Sequence, residues 1–141
     1  MHYLHTMIRV TNLDASLDFF TRILGFVEQR RHVNEKGRFT LVFVACPDSP
    51  DAPVELTYNW DPEVLHGGRN FGHLAIAVEN IYDYCANLMK LGVVINRPPR
   101  DGRMAFIKTP DGISIEVLQS GEGVHLPPQE PWTSMPNVGS W

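Results

Sequence analysis

Two histidines and two glutamates stand out from otherwise apolar, strand-like runs. His5 opens HTMIRV, His73 opens HLAIAV, Glu55 lies in VELTYNW and Glu116 in ISIEVLQ. A carboxylate among apolar residues is costly to bury alone, so each Glu needs a cation, a set of hydrogen bonds or open solvent. Side chains alternate faces along a strand. His5, Met7 and Arg9 therefore share a face on the first run, Glu55, Thr57 and Asn59 on the second, and Ser114, Glu116 and Leu118 on the last. Imidazole nitrogen and carboxylate oxygen together suit a divalent ion such as zinc, nickel, cobalt, manganese or iron. Four protein donors around one octahedral ion leave two positions for water or substrate oxygens. Taken singly, each residue also has a plain reading: a hydrogen-bonded strand His, or a strand Glu on a wetted face.

The elements that must position these four residues come as an internal repeat. After each His run stands a helix-entry signal, Asn12-Leu13-Asp14 in the first half and Asn80 in the second. Leu13, Leu17, Phe20 and Leu24 then recur at helical spacing, as do Ile81, Tyr84, Cys85, Leu88 and Met89. Both helices should stop at Leu-Gly, where Gly25 and Gly92 take the left-handed position that other residues resist. Strands are expected over Arg38–Cys46 and Val54–Trp60, joined by the turn-rich PDSPDAP. They are expected again over Met104–Thr109 and Ile113–Gln119, joined by Pro110-Asp111-Gly112. The reading is an α+β fold of two βαβββ modules, residues 1–66 and 67–120, in one structural domain. A Pro-rich C-terminal extension follows over 121–141, with Trp132 and Trp141, and is expected to be docked or frayed rather than a lid.

Composition narrows the function. A 43% apolar, 20% charged chain of 141 residues is globular rather than disordered. A formal charge of −4 leaves no broad basic face for nucleic acid, although scattered cations still allow an anionic small molecule. Cys46 and Cys85 have no disulfide or zinc-ribbon spacing and read as free thiols in a reducing compartment. No stretch approaches a membrane span or a secretory leader, so a cytoplasmic protein without membrane partners is expected.

HTMIRVTNLDASLDFFTRILGF, VELTYNW, GHLAIAVEN and PDGISIEVL, in order through residues 4–119, resemble glyoxalase I, the lactoylglutathione lyase family of the vicinal-oxygen-chelate superfamily. The lack of long N-terminal extensions makes the chain similar to the short bacterial members. The resemblance implies an eight-stranded cupped mixed sheet and a homodimer whose metal sites are shared between subunits. It places His5, Glu55, His73 and Glu116 on the family's metal ligands, and for a short member it favours Ni2+ over Co2+, Zn2+ or Mn2+. It implies isomerisation of the methylglyoxal–glutathione hemithioacetal to S-lactoylglutathione by proton transfer through a cis-enediolate, a methylglyoxal detoxification. Glu116 is the implied base, with Glu55 acting on the opposite epimer. Arg9 and Asn59 match glutathione-binding positions. The second-half cation is open among Arg69, Arg100 and Arg103.

Two other kinds of function fit parts of this pattern. One is a superfamily enzyme for a different thiol adduct or small metabolite: an epimerase, a thiol transferase or a ring-cleaving dioxygenase. Dioxygenases on this scaffold use two His and one Glu, so Glu55 would fill a position that oxygen chemistry needs open. ELTYNW argues against a CoA-thioester epimerase. The other is a non-catalytic module that sequesters a ligand, which an intact four-ligand set disfavours.

Overall fold

A computed structural model describes all 141 residues. The chain folds as two compact units, Met1–Gly67 and Gly68–Trp141. No helix is long and apolar enough to cross a membrane.

In the first unit, β1 (Thr6–Arg9) leads to α1 (Leu13–Asp18) and then to a π-helical turn at Phe19–Ile23. β2 (Val27–Asn34), β3 (Phe39–Ala45) and β4 (Val54–Asn59) follow. Asn12 caps α1, its side-chain oxygen accepting from the Ala15 N–H at 3.0 Å, as Asn does at helix starts. Gly25 ends the helical stretch at φ +86°. The sheet order is β1-β4-β3-β2, with β1 parallel to β4 and the other pairs antiparallel. Ile8, Val42, Val44 and Leu56 alternate onto the face that buries Phe19, Phe20 and Leu24 of the helical stretch.

β2 has no signature in the alternation pattern. VEQRRHVN is exposed from Val27 to Val33, because an edge strand that buries neither face needs no apolar period. Its register against β3 shifts between Glu28 and Arg30, an irregularity of the kind that blunts sheet edges.

The second unit runs β5 (His73–Val78), α2 (Ile81–Lys90), β6 (Met104–Lys108) and β7 (Ser114–Gln119), in sheet order β5-β7-β6. Again the first strand is parallel to the last and the remaining pair is antiparallel. Asn80 caps α2 by accepting from the N–H groups of Tyr82 and Asp83. The helix buries Ile81, Tyr82, Cys85 and Leu88, while Met89 stays half exposed. Gly92 closes the helix at φ +84°.

The fold class is the paired α+β one, but the two halves differ at one edge. Where the first half has β2, the second has only a bridge between Arg97 and Phe106. Pro98 and Pro99 follow at once and have no N–H to carry the ladder further. Seven strands are formed rather than eight.

The segment from Gly121 to Trp141 is docked on the second unit. Trp132 is buried and stacks on Tyr82 at 6.2 Å, and the Tyr82 hydroxyl donates to the Pro127 carbonyl at 3.0 Å. The Leu126 N–H reaches the Gly102 carbonyl at 3.0 Å, and the Val138 N–H reaches that of Asn96 at 2.9 Å. Gly102 sits at φ +68°, where a Cβ would lie 2.1 Å from the Leu126 oxygen, so glycine is required there.

Candidate active site

Strand register brings the four chemically distinctive residues together as two pairs. In the first unit Glu55 lies opposite Met7 on β1 and opposite Phe43 on β3. His5, two residues before Met7, falls on the same face, and its Nε2 stands 2.9 Å from Glu55 Oε2. The Phe43 ring meets the His5 ring edge-on, with centroids 5.3 Å apart. In the second unit Glu116 lies opposite Ala75 on β5 and Phe106 on β6. His73, two residues before Ala75, places Nε2 3.2 Å from Glu116 Oε2, and Phe106 meets its ring edge-on at 5.4 Å. Each half thus holds the same His–Glu–Phe triplet in the same register. The two phenylalanines escape a reading of sequence motifs. Counting alternation from each Glu across its antiparallel neighbour finds them.

In both pairs the carboxylate is largely covered and the imidazole more open. The side chains of Glu55 and Glu116 are 12% and 16% exposed, those of His5 and His73 31% and 42%. Such a carboxylate has lost much of its water yet can be reached from the open side.

An imidazole nitrogen and a carboxylate oxygen about 3 Å apart need a proton or a cation between them. An imidazole N–H donor meets that need within one chain. Two adjacent ligands of one octahedral ion at about 2.1 Å also stand about 3 Å apart. The donor set therefore fits a divalent metal in chemistry and spacing. His5 Nδ1 is buried and lacks a partner, so the ring is fixed by its Nε2 contact and by Phe43 alone. Within the chain no three His, Cys, Asp or Glu side chains gather into one metal set; the four residues present two half-sets.

The halves differ in what surrounds the triplet. Thr57 Oγ1 donates to Glu55 Oε1 at 3.0 Å, holding the second carboxylate oxygen. The residue in that place beside Glu116 is Leu118, which has no donor to offer. Arg9 shares the face of β1 and is exposed, and Asn59 closes the face of β4, where its amide donates to Glu63 at 3.0 Å. At the positions matching Arg9 and Thr57 the second half has Ala77 and Leu118. The outer face of Phe43 carries the Arg30 guanidinium, 3.9 Å from the ring centroid. The outer face of Phe106 carries the indole of Trp141.

The three candidate arginines of the second half separate clearly. Arg100 donates to the Met135 carbonyl at 2.9 Å and to Asn137 Oδ1 at 2.8 Å. Arg103 donates to the carbonyls of Gly121 and Val124 at 3.2 and 3.1 Å. Both thereby fasten the 121–141 segment. Arg69 is exposed and enters none of the ion pairs.

Two other features lie apart from the triplets. An open cleft of about 370 Å³, lined by Thr11, Asn12, Thr40 and Tyr58 among others, belongs to the helix-bearing side of the first sheet. Cys85 is a buried thiol, pushed up to about 12 by burial, and burial likewise raises Cys46. Neither is a nucleophile near neutral pH.

Known proteins share the chain's sequence and fold. The family model described as the Glyoxalase/Bleomycin resistance protein/Dioxygenase superfamily matches residues 2–117. A lactoylglutathione lyase of Neisseria meningitidis is 42% identical over 129 residues, 87% of this chain and 94% of that one. A lactoylglutathione lyase of Salmonella typhimurium is 36% identical over 126 residues, 85% and 93% of the two chains. Among solved structures, a glyoxalase I of Leishmania major described as trypanothione-dependent superposes with a TM-score of 0.76 at 38% identity, over 82% of this chain and 84% of that one. The chain belongs to the glyoxalase/bleomycin resistance protein/dioxygenase superfamily and, within it, to the family of the lactoylglutathione lyases.

Proposed function

We propose that the chain is a metal-dependent lactoylglutathione lyase that isomerises the methylglyoxal–glutathione hemithioacetal to S-lactoylglutathione. The observation that carries this reading is the duplicated His–Glu pair, His5–Glu55 and His73–Glu116, each backed by a phenylalanine in the same register. His5, Glu55, His73 and Glu116 would hold one divalent ion, with nickel favoured, once a second copy of the chain supplies the complementary pair. A divalent ion there supplies positive charge that lowers the pKa of the substrate C–H beside the carbonyl.

The protein's own residues do the rest. Glu116 takes the proton from the carbon bearing sulfur and returns it to the neighbouring carbon, as general base and then general acid. Its missing second hydrogen bond supports that choice, since a carboxylate that must accept and release a proton gains from a free oxygen. Glu55, tied to Thr57, is the better-anchored ligand. It faces the other epimer of the adduct. Arg9 and Asn59 are suited to the carboxylates and amides of glutathione, and of the three candidate second-half arginines Arg69 is left for them, because Arg100 and Arg103 are engaged with backbone carbonyls.

The test is to strip the protein of metal, restore nickel, cobalt, manganese or zinc, and follow thioester formation from methylglyoxal and glutathione. Activity with at least one ion is expected, and none with any ion would overturn the reading. Glu116→Gln should retain the fold and lower turnover by about 10²–10⁴-fold. Turnover at the wild-type rate would remove Glu116 as the base.

A further inference from the structure

We infer that Trp141 is a positioning residue for His73, acting through Phe106, and that the segment bearing it does for the second half what β2 does for the first. That His73 is a metal ligand rests on the proposed function. How its ring is held rests on contacts within the second unit.

In the first half the His5 ring meets Phe43, and Phe43 is covered in turn by the Arg30 guanidinium, 3.9 Å from its centroid. Register puts Arg30 there, as the β2 partner of Phe43. The second half has no such strand. By register the counterpart of Arg30 is Arg97, the bridge partner of Phe106. Its guanidinium is drawn away to the Met104 carbonyl and to Asp101 Oδ2 at 3.1 Å. The Trp141 indole covers Phe106 instead, with centroids 6.1 Å apart and planes inclined at 26°. Phe43 and Phe106 end equally buried, each 7% exposed, under covers of different chemistry.

The chain anchors the indole in that place. Asn96 brackets Val138, accepting its N–H at 2.9 Å on the backbone carbonyl and donating its side-chain amide to the Val138 carbonyl at 2.9 Å. Arg100 grips Met135 and Asn137 just before it. Gly139 then turns at φ +63°, a conformation open to glycine, and delivers Trp141 onto the ring. His73 needs the support more than His5 does. Its side chain is 42% exposed against 31%, and its Nε2 stands 3.2 Å from Glu116 Oε2 against 2.9 Å in the first pair. A covered phenyl ring keeps one rotamer and presents a fixed surface to the imidazole, whereas an open ring samples others. A ligand held in its binding orientation before the ion arrives loses less freedom on binding, so it binds more tightly.

Support from one aromatic neighbour is worth about two- to tenfold in an equilibrium constant. That is the expected loss of nickel affinity in Trp141→Ala, measured by competition with a chelator. Trp141→Phe keeps a flat ring over Phe106 and should stay within about twofold of the wild type. In the metal-free protein, nuclear magnetic resonance of the histidine rings, assigned with His5→Gln and His73→Gln, separates positioning from general destabilisation. In Trp141→Ala the His73 signals should shift and broaden while those of His5 stay. The indole N–H signal of Trp132 should stay too, because the segment remains docked on Tyr82. Unmoved His73 signals overturn the inference, as do His5 and His73 signals that move alike, or an affinity loss that Trp141→Phe shares in full. A Trp132 signal that moves with His73 would assign the support to the docked segment as a whole, and also overturns it. A wild type that binds no divalent ion, with His73 alone loosened in Trp141→Ala, would sink the proposed metal site and leave the positioning role standing.

Discussion

Thr57 shows how one side chain can separate two carboxylates that the repeat makes equivalent. Glu55 and Glu116 each have a histidine about 3 Å away and a phenylalanine across the ladder, yet only Glu55 has a hydroxyl on its second oxygen. A ligand oriented by a neighbouring donor binds its ion more tightly, and losing such a partner commonly costs 10–100-fold in metal affinity. Thr57→Val preserves branching and volume in a β-strand, so β4 should stay intact. The expected result is divalent-ion affinity weakened about tenfold, measured by competition with a chelator, with little change in far-ultraviolet circular dichroism. Unchanged affinity would mean that the hydroxyl does not orient Glu55. The two His–Glu pairs were legible in the sequence because four polar residues interrupt apolar runs at repeat-equivalent places. Phe43 and Phe106 were not, since a strand phenylalanine reads as core until its register is known.

At the scale of elements, legibility followed burial. α1 and α2 declared themselves through helical spacing and an Asn cap, and β1, β4 and β7 through alternation, because each buries one face more fully than the other. β2 buries neither face, so no pattern marks Val27–Asn34. Arg100 and Arg103 illustrate a different limit. Their types suggest anion binding, but their partners are carbonyls 18 to 37 residues further along the chain, which no local pattern announces. The Asp101-Gly102 turn is likewise more than a reversal. Asp101 Oδ1 accepts from the N–H groups of Arg103 and Met104 at 3.0 Å, its Oδ2 pairs with Arg97 at 3.1 Å, and its backbone carbonyl meets His125 Nδ1 at 2.9 Å. Burial works to raise the Asp101 pKa, but the two N–H groups and the Arg97 guanidinium outweigh it and hold the carboxyl below its usual 3.8. A carboxylate whose pKa is depressed by folding adds stability above the unfolded value, and that stability is lost as pH falls through the folded value. Wild-type stability should therefore drop relative to Asp101→Asn as pH falls from about 4 toward the folded pKa, read as converging melting temperatures. Parallel curves through that window would show that the turn does not depend on the charge.

For the whole molecule, the proposed reading draws the four ligands of one metal site from two His–Glu pairs, one in each unit. A homodimer that joins the first-half pair of one protomer to the second-half pair of the other would make each metal site a joint product, and this has a consequence that an intrachain site lacks. His5→Ala disables the first half-set and His73→Ala the second, so each variant alone should be nearly inactive. In a mixed dimer with crossed sites, one site collects both lesions and the other collects none. Random reassortment places half of the protomers in mixed dimers, each with one intact site of two, so activity should recover to about a quarter of the wild-type level. The measurement is thioester formation after the two inactive variants are unfolded together, refolded and supplied with nickel, against each variant refolded alone. If each chain instead completed its own site, every site in the mixture would carry one lesion and no activity would return. Because neither parent variant contributes a working site, any recovery above the separate controls reports ligands crossing between copies.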